Sequence, residues 1–233
     1  MGLSLSVGLL IDLSAQDDEG TQYVKGQFEA VNKVLKAMNL GAHQEPTQLK
    51  EGLPWFGDML GYSGLHYLRR IAAYLWAGKG LPEPGGNDPA KDAVVEEYYD
   101  RIVDPPSPIL KRLFGRRASP TKRFDHLMLH SDAEGFYLPI DFAKVIIPPE
   151  ELINITGGVI GSTPRLLAEC EHIAKALGIP NTIEAESKEV FEAIKRQGEG
   201  AGWRRYGIES FSCLQLMKAC RLSIASGAAV AFT

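Results

Sequence analysis

The chain has little cysteine, no long apolar run and no strong excess of either charge. Its 233 residues include only three cysteines, Cys170, Cys213 and Cys220. They form no CxxC pair and have no histidine at zinc-ligand spacing. That excludes a zinc ribbon and a disulfide-stapled scaffold, and it fits buried thiols in a reducing compartment. Nowhere do ~18 apolar residues run together, so no membrane-spanning helix is expected. The opening run, MGLSLSVGLLIDL, has no basic residue before it and ends at Asp12, unlike a secretory leader. Both absences lead to the expectation of a cytoplasmic protein. No dinucleotide fingerprint is present, and GGVIGSTPR (157–165) lacks the lysine of a phosphate-binding loop. No cofactor is expected.

A net charge of −4 is mild. It makes nucleic acid an unexpected partner, with one local exception. Between Pro105 and Phe124 stand Lys111, Arg112, Arg116, Arg117, Lys122 and Arg123 without an acid. With only Phe114 and Phe124 as aromatics, this stretch (105–124) is read as an exposed basic loop and not a base-stacking platform.

What the chain does have is an ordinary globular composition, 45% hydrophobic and 23% charged. A chain of this length buries roughly 70% of its unfolded surface, enough for a single domain over residues 1–233. Residues 3–10 read as a buried strand. Val24, Phe28, Val31, Leu35 and Met38 recur at threes and fours up to Gly41, which predicts a helix. Further helices are predicted from Ser63 to Gly78, after Asp88–Pro89, from Ser162 to Gly178, over 187–197 and over 206–226. Residues 124–130 and 136–142 alternate at period two around SDAEG, which predicts a central β-hairpin. Residues 145–147 and 228–232 add short strands. The expected fold is α+β: a small mixed or antiparallel sheet with that hairpin, flanked by about six helices.

Five constellations are candidates for function. In 124–142, His126 and His130 accompany Asp132, Glu134 and Asp141, residue types suited to a metal or to acid–base work. His126, His130 and Asp132 are the metal candidates. On the predicted helix 63–77, His66, Arg69 and Arg70 fall together and suit a carboxylate or phosphate. Arg165 follows the glycine-rich helix start at 157–165. The basic stretch is the fourth, and the fifth is 197–221, where Cys213 has no neighbouring base to activate it. Each also has a structural explanation: solvated turns, a polar helix face, a well-capped helix and core packing.

The segments GYSGLHYLRR, HSDAEGFYLPIDF, GSTPRLLAEC and YGIESFSCL resemble small bacterial proteins with no assigned activity. Composition also resembles bacterial immunity and antitoxin proteins, which implies a non-catalytic inhibitor of a partner protein, such as a cognate toxin. Arg69, Arg70, Asp132, Glu134, Asp141 and Arg165 are the expected binding residues. The alternative is an enzyme acting on a phosphate- or carboxylate-bearing small molecule. In it His130, Asp132 and His66 would be catalytic, with arginines holding the anion. That alternative requires these side chains to meet in one pocket.

Overall fold

The computed structural model describes residues 3–48, 51–86, 88–103 and 124–233. The expected basic loop, 105–124, lies outside them except for Phe124, which is buried in the core.

Leu3, Leu5 and Val7 alternate with polar neighbours and form β1 (Ser4–Val7). Gly8, at φ 81, turns the chain into α1 (Leu9–Gln16), so the strand expected to run to Leu10 stops at Val7. The side chain of Asp17 accepts the Gly20 N–H and starts α2 (Asp18–Ala37). This helix lays Val24, Phe28, Val31 and Leu35 on the sheet. β2 (Trp55–Asp58) forms where no strand was expected, and α3 (Tyr62–Trp76) follows directly. Asp88 precedes a 3-10 turn (Pro89–Lys91), and α4 is Ala93–Val103.

Beyond residue 123 come α5 (Asp125–Met128), β3 (Phe136–Leu138), α6 (Glu150–Ile153) and β4 (Gly161–Ser162). The Ser162 hydroxyl caps α7 (Thr163–Leu177), and Gly178 ends it in the left-handed conformation, as the sequence predicts. Ser187 caps α8 (Lys188–Lys195). A second 3-10 turn (Gly202–Tyr206) leads into α9 (Gly207–Ser226), and β5 (Val230–Phe232) closes the chain.

The strands form one sheet in the order β2–β1–β5–β3–β4. All neighbours are antiparallel except β3 and β4. The α+β class and the mixed sheet are as expected. The central hairpin is not: 125–128 is a helical turn, and β3 pairs with β4 and β5 instead. The reason lies outside the segment. The Glu169 carboxylate accepts the N–H groups of His126 and Leu127, satisfying donors that a helix start leaves open. The six expected helices are α2, α3, α4, α7, α8 and α9. The extra ones among the described residues, α1, α5 and α6, have eight residues or fewer.

Two cores lie on opposite faces of the sheet. Leu5, Val7, Tyr137, Val230 and Phe232 face α3, α7 and α9, while Phe136, Leu138 and Ala231 face α2. Helix α9 is buried almost all round, as a helix enclosed by α3, α7 and α8 must be. Its first residue is glycine because a methyl group there would overlap the Ala193 carbonyl of α8.

Candidate functional site

On α3, His66 and Arg69 sit about one turn apart. The chain leaving α5 folds back so that His130 and Asp132 meet them. These four residues line one cleft of about 350 Å³. Ala90, Val95, Tyr99, Met128 and Leu129 supply its other walls.

Arg69 is not on a solvated face. Its side chain is 4% exposed. Nε donates to the Leu127 carbonyl at 2.8 Å and Nη2 to the His130 carbonyl at 2.7 Å, while Nη1 pairs with Asp132. Leu127 lies in the last turn of α5, whose carbonyls lack helical partners, so the guanidinium acts as a C-terminal cap from another element. Asp132 uses one oxygen for Arg69, and its other lies 3.3 Å from His66 Nε2. The Asp132 side chain is 38% exposed and that of His66 26%, so this pair forms the open, polar part of the cleft. Burial lowers the His66 pKa; Asp132 pulls the other way and Arg69 adds to the lowering.

His130 lines the cleft but is buried. Its ring stacks on Tyr137 with centroids 3.9 Å apart and meets the edge of Phe232. Nδ1 lies 3.2 Å from the Ser131 carbonyl and Nε2 3.2 Å from the Phe136 carbonyl. Burial pushes its pKa down to about 4. Held between two carbonyls, the ring offers a substrate no open nitrogen.

His126 goes elsewhere. Its Nδ1 accepts the Ser162 N–H at 3.0 Å, tying α5 to the β4–α7 junction, and burial lowers its pKa to about 4. Its Nε2 is buried without a hydrogen-bond partner. His126, His130 and Asp132 therefore do not form a metal centre. Among the described residues no group of three His, Cys, Asp or Glu side chains is placed to hold one.

The remaining candidates are dispersed. Arg70 pairs with Asp92 at 2.7 Å and donates to the Gly85 carbonyl, pinning the α3–α4 connection. Arg165 and Asp141 pair with each other in solvent. Glu134 is exposed beside Gly135. Cys213 is buried, its thiol donating to the Cys170 carbonyl at 3.3 Å. The residues that sequence reasoning missed are Glu169, Asp125, Tyr98 and Tyr99. Tyr98 donates to Asp125 at 2.9 Å and Tyr99 to the Met128 carbonyl at 2.9 Å. Burial pushes Glu169 up to about 8 although two N–H donors oppose it. Only the paired tyrosines of α4 hinted at this cluster, and a buried face explains them equally well.

Charge is distributed less evenly than the whole-chain value implies. Lys50, the six basic residues of 111–123 and one acid, Asp104, fall outside the described residues. The described residues thus carry 28 acids against 18 bases, a net of −10 where the chain has −4. Six of their eight arginines (69, 70, 101, 165, 205 and 221) are already paired with carboxylates of the same chain. Exposed carboxylates remain without an ion-pair partner among the described residues. Asp17, Asp18 and Glu19 stand at the α1–α2 elbow, and Glu134, Glu150 and Glu151 near α6.

Fold and charge together define an α+β protein whose described residues carry more acid than base and pair most of their own arginines with carboxylates. A family model described as "Putative DNA-mimic protein" matches residues 1–232, and the chain belongs to that family. Searches of curated proteins and of solved structures return no match. The family overturns the expectation that nucleic acid is not a kind of partner to reckon with, because the family is described by likeness to DNA. The basic residues of 111–123 offset much of the acid elsewhere in the sequence, so a net charge of −4 says little about how charge is distributed. The immunity or antitoxin resemblance is not what the family model names. No helix of the described residues is long and apolar enough to cross a membrane.

Proposed function

We propose that this protein is a non-catalytic inhibitor that occupies the DNA site of a DNA-binding protein, its carboxylates standing where phosphates would. The carrying observation is the match to a DNA-mimic family over 1–232, joined to exposed carboxylates at the α1–α2 elbow and near α6 that have no ion-pair partner among the described residues. A duplex presents a dense row of negative charge, and the proteins that bind it carry basic surfaces to match. Fixed carboxylates give such a surface the same long-range attraction and a fast encounter. Pairing six of the eight arginines of the described residues with carboxylates limits how far they cancel that field.

The enzymatic alternative has less support. Four of its residues do share the cleft, but Arg165 is elsewhere, each nitrogen of Arg69 already donates, and His130 has no open nitrogen. The narrower immunity or antitoxin role would make the target a toxin that acts on DNA, and co-expression would then restore growth.

The test immobilises the full chain, captures partners from native lysate at low salt, and assays them with a fluorescent duplex. The expected partner binds the duplex and releases it as the chain is added, one for one, with affinity falling steeply as salt rises. A partner that holds the duplex and the chain together would overturn the proposal.

A further inference from the structure

The cleft between α3, α4 and the segment after α5 has a chemical polarity that specifies its occupant. Asp132 carries two oxygens with about four acceptor positions. One is used by Arg69, and a second faces His66. His66 turns Nε2 toward the carboxylate at 3.3 Å, the side on which a neutral ring gains by carrying its proton; Nδ1 is then an acceptor. The cleft's donors are engaged already. Arg69 is held by the Leu127 and His130 carbonyls and by Asp132, and the Tyr99 hydroxyl donates to the Met128 carbonyl. The partly exposed polar groups therefore accept hydrogen bonds. Beside them stand the apolar walls of Ala90, Val95, Met128 and Leu129. Asp88, itself paired with Lys91 at 2.7 Å, is close enough to act on His66.

An anion would meet a carboxylate there, which argues against the phosphate- or carboxylate-bearing substrate that the sequence suggested. A group that only donates, carried on an apolar stem, meets complementary partners at both ends. Arginine is such a side chain: five N–H donors in a planar fork on three methylenes. A cleft of about 350 Å³ is at the small end of ligand pockets, a size suited to one long side chain.

We propose that this cleft is an anchor pocket for a single arginine of the protein partner, the guanidinium meeting Asp132 and His66 and the stem lying along Val95, Met128 and Leu129. That the arginine belongs to a DNA-binding protein rests on the mimic reading; the acceptor-only chemistry of the cleft does not. Pocket-filling arginines of this kind are among the residues that dominate interface energies. The pocket also has a pH sense. The charged groups about His66 are Asp132, Arg69 and Asp88 with its partner Lys91, and acid that protonates His66 replaces its acceptor with a positive charge. Arginine binding weakens accordingly.

The experiment titrates the isotopically labelled full chain with N-acetyl-arginine amide and, separately, with inorganic phosphate, following amide resonances. The expected result is saturable movement of the resonances of residues 66, 90, 129 and 132 with the arginine compound and none with phosphate. Ala90 is exposed on the 3-10 turn, so Ala90→Trp plugs the cleft without touching its ion pairs. It should weaken binding at least tenfold, as should His66→Leu. Movement of the same resonances by phosphate, no movement with arginine, or undiminished binding by Ala90→Trp overturns the assignment. The mimic reading is separated by the duplex-displacement assay. An Ala90→Trp chain that displaces the duplex as well as the parent does removes the anchor pocket and leaves mimicry standing.

Discussion

His126→Asn tests whether burial, and not a specific ion pair, sets the acid sensitivity of this fold. In the native protein His126 titrates near 4 because its ring is buried, against 6.5 when exposed. The sign follows from proton counting. Between those values the unfolded chain binds more protons at this residue, so stability is complete above 6.5 and is lost as pH falls toward 4. At pH 5 the unfolded ring is mostly charged and the folded ring mostly neutral, a difference worth about 2 kcal/mol. Asparagine retains an acceptor near the position of Nδ1 for the Ser162 N–H and does not titrate. Urea unfolding at pH 7.5 and pH 5 gives the change in stability for each protein. The change should be smaller in His126→Asn by about 2 kcal/mol. His130 works in the same direction, and Glu169, raised to about 8, works in the opposite one, its contribution being lost as pH rises. Both groups are present in the two proteins, and burial, the main cause of each shift, is unchanged by the substitution, so most of their contribution cancels in the comparison. Identical pH dependence in the parent and the variant would refute the reasoning.

Arg69→Met should destabilise by on the order of 3 kcal/mol in urea, because two backbone carbonyls and Asp132 lose a buried partner together. Gly207→Ala should cost more than about 2 kcal/mol and lower the melting temperature, since its methyl has no room against the Ala193 backbone. Arg165→Ala should change stability by less than about 1 kcal/mol, because its pair with Asp141 is exposed on both sides. A large loss there would show that the β4–α7 junction depends on the pair.

The longer helices were legible because each repeats apolar residues over several turns and carries its own punctuation. α7 is the clearest case: Ser162 caps it, Pro164 sits in the first turn, Leu166, Cys170, Ile173 and Leu177 line one face, and Gly178 ends it. Segment 124–130 was not legible. Seven residues carry too little periodicity to separate a strand from a helical turn, and the deciding group, Glu169, lies 42 residues beyond Leu127. β2 was missed for a similar reason, since a four-residue edge strand among prolines has almost no pattern of its own.

The candidate site divides the same way. Sequence reasoning picked His66, Arg69, His130 and Asp132, and these do line one cleft, yet their roles were not readable. On a helical wheel Arg69 looks solvated, and only the arrival of α5 turns it into a buried cap. His130 looks like a base until Tyr137 and two carbonyls enclose it. The net charge was legible, but its distribution was not.

By itself the sequence determined the α+β class, the longer helices with their caps and the set of residue types available for function. These depend on local periodicity and on the chemistry of single side chains, which neighbours in the chain suffice to specify. Only the tertiary structure decided which arginines are consumed internally, which histidines stay neutral and where open acceptors gather. Those properties depend on burial and on partners tens of residues away, and a charged group changes character once it leaves water.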